Sequence, residues 1–144
     1  MRLELYQQET AHIAREQAAM LAEARERLRS GGALSRLEQN GVLHALQVLV
    51  ENAIGKAKHL IKAAGEPVPV SAYDSFAVLA RLLGLSPQEL VRWNSVVGLR
   101  NRIVHDYMNL DMHRVLQLVE NGGHDFVVQF LLAPIPPVAH PEEE

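Results

Sequence analysis

The sequence predicts an all-α protein, an up-and-down bundle of about five helices. Three observations carry this. Apolar residues recur at the spacing of a helix, about 3.6 residues, in one segment after another. Gly, Pro and helix-capping Ser or Asp separate those segments. No stretch alternates apolar and polar residues as a half-buried strand would.

The first helix is expected over Leu3–Arg29, which is rich in Ala, Glu, Arg, Gln and Leu and contains no Pro or Gly. Its Arg and Glu residues nearly balance, and Glu23–Arg27 has the favourable i,i+4 order. Ser30–Gly31–Gly32 ends it. Ser35 and Glu38 have capping-box spacing and open the second helix. There Val42/Leu43, Leu46, Leu49/Val50, Ala53/Ile54, Ala57 and Leu60/Ile61 form a wide apolar stripe, which predicts a core helix. Lys56, Lys58, His59 and Lys62 are expected on its solvated, basic face. Gly65 stops it, and Glu66–Pro69 reads as extended loop.

Ser71 caps a shorter helix that carries Phe76, Leu79 and Leu82/Leu83 and closes at Gly84. Ser86, Pro87 and Glu89 occupy N-cap, N1 and N3 of the next helix, which is expected to continue to about Tyr107. Trp93, Phe76, Phe126 and Phe130 are assigned to the core. Asp111 caps the last helix, which Asn121–Gly122–Gly123 should kink or break. Residues 1–133 thus read as a single domain. Residues 134–144, with four prolines and a final Glu142–Glu144, read as a flexible acidic tail.

The bulk numbers narrow the function classes. With 144 residues, one domain can bury a core without staples. The absence of Cys excludes disulfides and thiolate metal sites. No run is apolar enough for a signal core or a membrane span, so the expected location is cytoplasmic with no membrane partner. A net charge of −3 argues against a general nucleic-acid coat, and no DNA partner is expected. Positive charge is nonetheless local: four arginines (92, 100, 102, 114) face two acids (Asp106, Asp111) between Arg92 and Arg114. The scattered histidines show no metal-ligand spacing, and no Gly-rich phosphate loop follows a strand. No cofactor or metal is expected.

The segment Gly98–Tyr107 concentrates chemistry. Arg100 and Arg102 offer guanidinium groups, Asn101 an amide, His105 an imidazole, Asp106 a carboxylate and Tyr107 a phenol. RNA cleavage without a metal needs such parts. A base must take the ribose 2′-OH proton and an acid must protonate the leaving 5′-oxygen, which a histidine can do. An arginine fork stabilises charge on the phosphate. Tyrosine can donate to phosphate or stack on a base. On an ideal helix Arg100 and His105 lie about 140° apart. A helix irregularity, or a site shared between two chains, would close that gap. Arg102 is either an RNA contact or a solvated residue paired with Asp106 at i+4.

Arg100-x-x-x-x-His105, with Asn101 after the Arg, resembles the signature of the HEPN superfamily of helical ribonucleases. The longer string Gly98-Leu-Arg-Asn-Arg-Ile-Val-His-Asp-Tyr107, followed by Leu110–Asp111, is similar to the HepT toxin branch. So are Gly65-x-x-Val68-Pro69, Tyr73-Asp74-Ser75-Phe76-x-x-Leu79 and Leu85-Ser-Pro87. The resemblance spans roughly Asn40 to Leu131; Leu99 stands where Phe is common. It implies a homodimeric, metal-independent endoribonuclease, the toxin of a toxin–antitoxin pair, with its site in a cleft between two chains. Carried over, Arg100 and His105 are the catalytic pair, with Asn101 in support; Arg102 is set beside it as a supporting candidate on its own chemistry. The resemblance also implies a partner, a minimal nucleotidyltransferase antitoxin that transfers AMP to Tyr107. The alternative is a dimer of the same fold that binds nucleotide or a partner protein without cleaving. A third reading is a nucleotidyltransferase accessory subunit, in which Tyr107 would affect the partner's activity alone.

Overall fold

A computed structural model describes residues 2–135. Six α-helices appear among them: α1 (Arg2–Arg29), α2 (Arg36–Ala63), α3 (Ala72–Leu83), α4 (Pro87–His105), α5 (Met112–Glu120) and α6 (Asp125–Leu132). A short 3₁₀ turn, Tyr107–Asn109, links α4 to α5. The fold is all-α, as the patterning requires. The expected acidic tail falls mostly on residues 136–144, outside the described residues.

The helix starts follow their caps. Ser35 accepts from the Glu38 amide while the Glu38 carboxylate accepts from the Ser35 amide, and Ser86 and Glu89 repeat this reciprocal pair. Ser71 and Asp111 accept from the amides of Asp74 and Arg114. The expected last helix is broken in two. Gly122 takes φ +72°, and the amides of Gly122 and Gly123 bond back to the carbonyls of Val119 and Leu118, closing α5 in a Schellman motif. After the break α6 packs against both α1 and α2.

The centre of the bundle is α2, which packs against α1, α3, α4 and α6. Its buried stripe runs from Val42 to Ile61. An aromatic cluster orients α4 within this frame. Trp93 stacks on Phe76 of α3 at 4.4 Å between ring centroids and meets Phe126 and Phe130 of α6 edge-on at 4.8 and 5.0 Å. Phe76 itself is fully buried.

One expectation on α2 is overturned. Lys56 does not lie on a solvated face; only 1% of it is exposed. Its ammonium donates to the carbonyls of Phe130 and Ala133 at 2.7 and 2.6 Å and lies 5.1 Å from the Phe130 ring centroid. The carbonyls at the end of α6 need donors, and a cation suits the negative end of a helix. Lys58 also bonds to backbone, donating to Val70. His59 packs on Tyr6, with ring centroids 4.0 Å apart.

Candidate active site

The polar segment occupies the last turns of α4 and the bend that follows. Val96, Arg100 and Ile103 recur at i, i+4 and i+7, so they share one face of the helix. Val96 and Ile103 are buried, which carries Arg100 inward with them. The Arg100 side chain is 21% exposed, and its terminal nitrogen lies 4.0 Å from the Glu51 carboxylate of α2. Its Nε is buried without a hydrogen-bond partner among the described residues. Asn101 is half-buried on the same turn. His105 is the final residue of α4 and is exposed.

The helix stops after His105, two residues before the expected end. Asp106 leaves the helical region at φ −142°, ψ 39°. Its carboxylate then accepts from the Asn109 side chain at 2.7 Å, and the Asn109 backbone amide donates to the Asp106 carbonyl at 3.1 Å, closing the turn. Tyr107 therefore leads the 3₁₀ turn, and its hydroxyl donates to Asn40 Oδ1 of α2 at 2.7 Å. Beneath the ring a depression of about 210 Å³ is lined by Arg36, Gln39, Asn40, Met108, Leu110 and Met112.

The structure brings only part of the predicted set together. Arg100 and Tyr107 both meet α2, through Glu51 and Asn40. The helix is regular from Pro87 to His105, so no irregularity closes the angle between Arg100 and His105. Arg102 lies on another face, in a groove of about 340 Å³ shared with Asn94, Ser95, Asp111 and Arg114. The Arg102–Asp106 pair weighed from the sequence does not form; Asp106 turns to Asn109 instead. Glu51 and Asn40 were not legible in the sequence. The Tyr107–Asn40 contact spans 67 positions, and no local pattern marks its acceptor.

Chemically the end of α4 offers a half-buried guanidinium and an exposed imidazole on different faces of the helix, followed by a hydrogen-bonded phenol. Among the described residues no group of three or more His, Asp or Glu could hold a metal ion. No described helix is long and apolar enough to cross a membrane.

This all-helical architecture is that of a HEPN-type domain. The family model described as "Ribonuclease HepT-like" matches residues 14–130. The chain belongs to this HepT-like family. It is 33% identical over 88 residues to the mRNA nuclease HepT of Shewanella oneidensis, covering 61% of this chain and 66% of that protein. Two solved structures share its fold. One is the tri-AMPylated HEPN toxin of Shewanella oneidensis in complex with MNT antitoxin. That chain is 27% identical with a TM-score of 0.63, and the match covers 83% of this chain and 93% of that one. The other is a toxin–antitoxin structure with AMP-PNP, 24% identical with a TM-score of 0.62, covering 83% of this chain and 97% of that one.

Proposed function

We propose that this protein is the ribonuclease toxin of a toxin–antitoxin pair, acting on RNA in the cytoplasm as a homodimer. The observation that carries this reading is Arg100: a guanidinium drawn inward beside α2, five residues before the exposed His105 that ends the helix. The mRNA nuclease named above supports the substrate class.

In this reading a neutral His105 imidazole takes the 2′-OH proton. The 2′-oxygen attacks the adjacent phosphorus, and the bond to the 5′-oxygen breaks. The His105 imidazolium so formed returns the proton to the leaving oxygen, giving a 2′,3′-cyclic phosphate and a 5′-hydroxyl. Arg100 stabilises the charge that grows on the phosphate oxygens, and Glu51 holds its fork in place. Proton transfer and charge stabilisation both come from side chains, so the scheme is metal-independent. Asn101 supports the pair, and Arg102 contacts RNA further along its path. The angle between Arg100 and His105 on a regular helix favours a site completed by the second chain of a dimer.

Tyr107 is the switch. A minimal nucleotidyltransferase antitoxin adds AMP to its hydroxyl, placing bulk and negative charge at the rim where RNA must enter. The AMPylated relative in complex with MNT antitoxin supports this part.

Purified, unmodified protein should cleave a panel of RNAs in the presence of EDTA. Arg100→Ala or His105→Ala should lower the rate at least about a hundredfold. Wild type that leaves RNA intact, or a His105→Ala variant that cleaves as well as wild type, would sink the reading in favour of a non-catalytic binding module.

A further inference from the structure

The depression beside Tyr107 has a mixed lining. Arg36, Gln39 and Asn40 lie at i, i+3 and i+4 of α2 and so share a face, offering a guanidinium and two amides. Met108 of the turn, Leu110 and Met112 of α5 add apolar side chains to the lining. Phosphate suits an arginine fork, and a purine face suits soft, adaptable thioethers. The Tyr107 hydroxyl joins the lining through its 2.7 Å bond to Asn40.

We infer that this depression is a nucleoside-monophosphate seat that receives the adenylyl group once it is attached to Tyr107. The inference rests on Tyr107 being the AMP acceptor. AMP transfer joins the phenolic oxygen to the α-phosphorus of ATP, breaks the α–β phosphoanhydride bond, releases pyrophosphate and gives up the phenolic proton to solvent. The ester oxygen then has no hydrogen to offer Asn40. An asparagine can rotate its amide and donate Nδ2–H to the phosphate instead, which an aspartate could not do. Arg36 lies one turn before Asn40 and meets the phosphate charge. The adenine ring lies against Met108 and Met112. Asn40 is thus a positioning residue for both states, acceptor to the free phenol and donor to the phosphodiester.

Two of the chain's four methionines, Met108 and Met112, line the seat, while Met20 lies on α1. Methyl-¹³C-methionine NMR on the full chain therefore reads it directly, with signals assigned through Met108→Leu and Met112→Leu. Free AMP should shift Met108 and Met112 and leave Met20 in place. Arg36→Gln should weaken AMP about tenfold, and the unmoved Met20 signal reports that this variant is folded. Tyr107→Phe should keep the AMP response, because free AMP needs no phenol. Relative to wild type, the Tyr107 ¹³Cζ signal should move in Asn40→Ala and much less in Asn40→Asp, which retains an acceptor.

AMP that leaves both methyls unmoved overturns the seat. So does a response that a 2′-O-methylated oligoribonucleotide produces and AMP does not, since the depression would then belong to substrate RNA. Failure of the underlying reading looks different. A nucleotidyltransferase partner would then add no AMP in intact mass, or would still add it to Tyr107→Phe, while the methyl shifts with free AMP persisted.

Discussion

Lys56 shows how a charged residue is kept inside this bundle. Burial lowers its ammonium from an ordinary 10.5 to about 8. The two carbonyls it serves need two N–H donors, and a neutral amine still supplies them. Between about pH 8 and 10.5 the unfolded chain holds this proton more firmly than the native chain, so native stability rises with pH across that window. Lys56→Met removes both donors and should cost about 2–4 kcal/mol. In urea denaturation the gap between wild type and Lys56→Met should widen from pH 7.5 to pH 10; a constant gap would show that the lysine titrates alike in both states. At the same scale Glu51 faces Arg100 at 4.0 Å. Glu51→Gln removes the charge that faces Arg100, and RNA cleavage should fall about threefold to tenfold while the melting temperature stays near wild type.

The helix ends divide by what terminates them. At α5 the cause is local: Gly122 adopts a left-handed conformation that L side chains resist. A Cβ there would also come within 2.5 Å of Asp125 Oδ2 and 2.9 Å of Arg25. Gly122→Ala should therefore destabilise by about 1–2 kcal/mol or more, lowering the melting temperature by at least about 3 °C. Gly41 lies in the exposed interior of α2, where a Cβ meets nothing within 4 Å. Gly41→Ala should instead stabilise by about 0.5–1 kcal/mol. Differential scanning calorimetry on the pair distinguishes a required glycine from a tolerated one. At α4 no glycine stands at the end. The Asp106–Asn109 side-chain bond and the Tyr107–Asn40 contact turn the chain there.

At the scale of the whole molecule, Arg100 and His105 stand about 140° apart on one regular helix. A site built by two chains makes a clear prediction. Arg100→Ala and His105→Ala should each be inactive, yet a heterodimer of the two should retain one site with a wild-type Arg from one chain and a wild-type His from the other. Random mixing makes about half the dimers mixed. With one of two sites restored in each, activity should return to about a quarter of wild type. A mixture that stays inactive would place both residues of a working site in a single chain.

The helices, their caps and the Arg100–Tyr107 string were legible in the sequence because each depends on near neighbours. Capping boxes span three residues, the apolar period repeats within a turn, and the Asn121–Gly123 break is written in consecutive residues. The destination of each polar group was not legible. Lys56 reads as one more residue of a basic face, yet the packing of α6 on α2 buries it. Glu51 and Asn40 carry no local mark, and Asp106 and Tyr107 have nothing before them to stop a helix. These outcomes follow from contacts between residues far apart in the chain, and a one-dimensional pattern does not encode which distant partner arrives. By itself, then, the sequence determined an all-α bundle and the segment where the proposed chemistry is concentrated. Only the tertiary structure decided how α2 joins that segment, because the polar groups that meet there, Arg100 with Glu51 and Tyr107 with Asn40, are brought together by helix packing and not by local sequence.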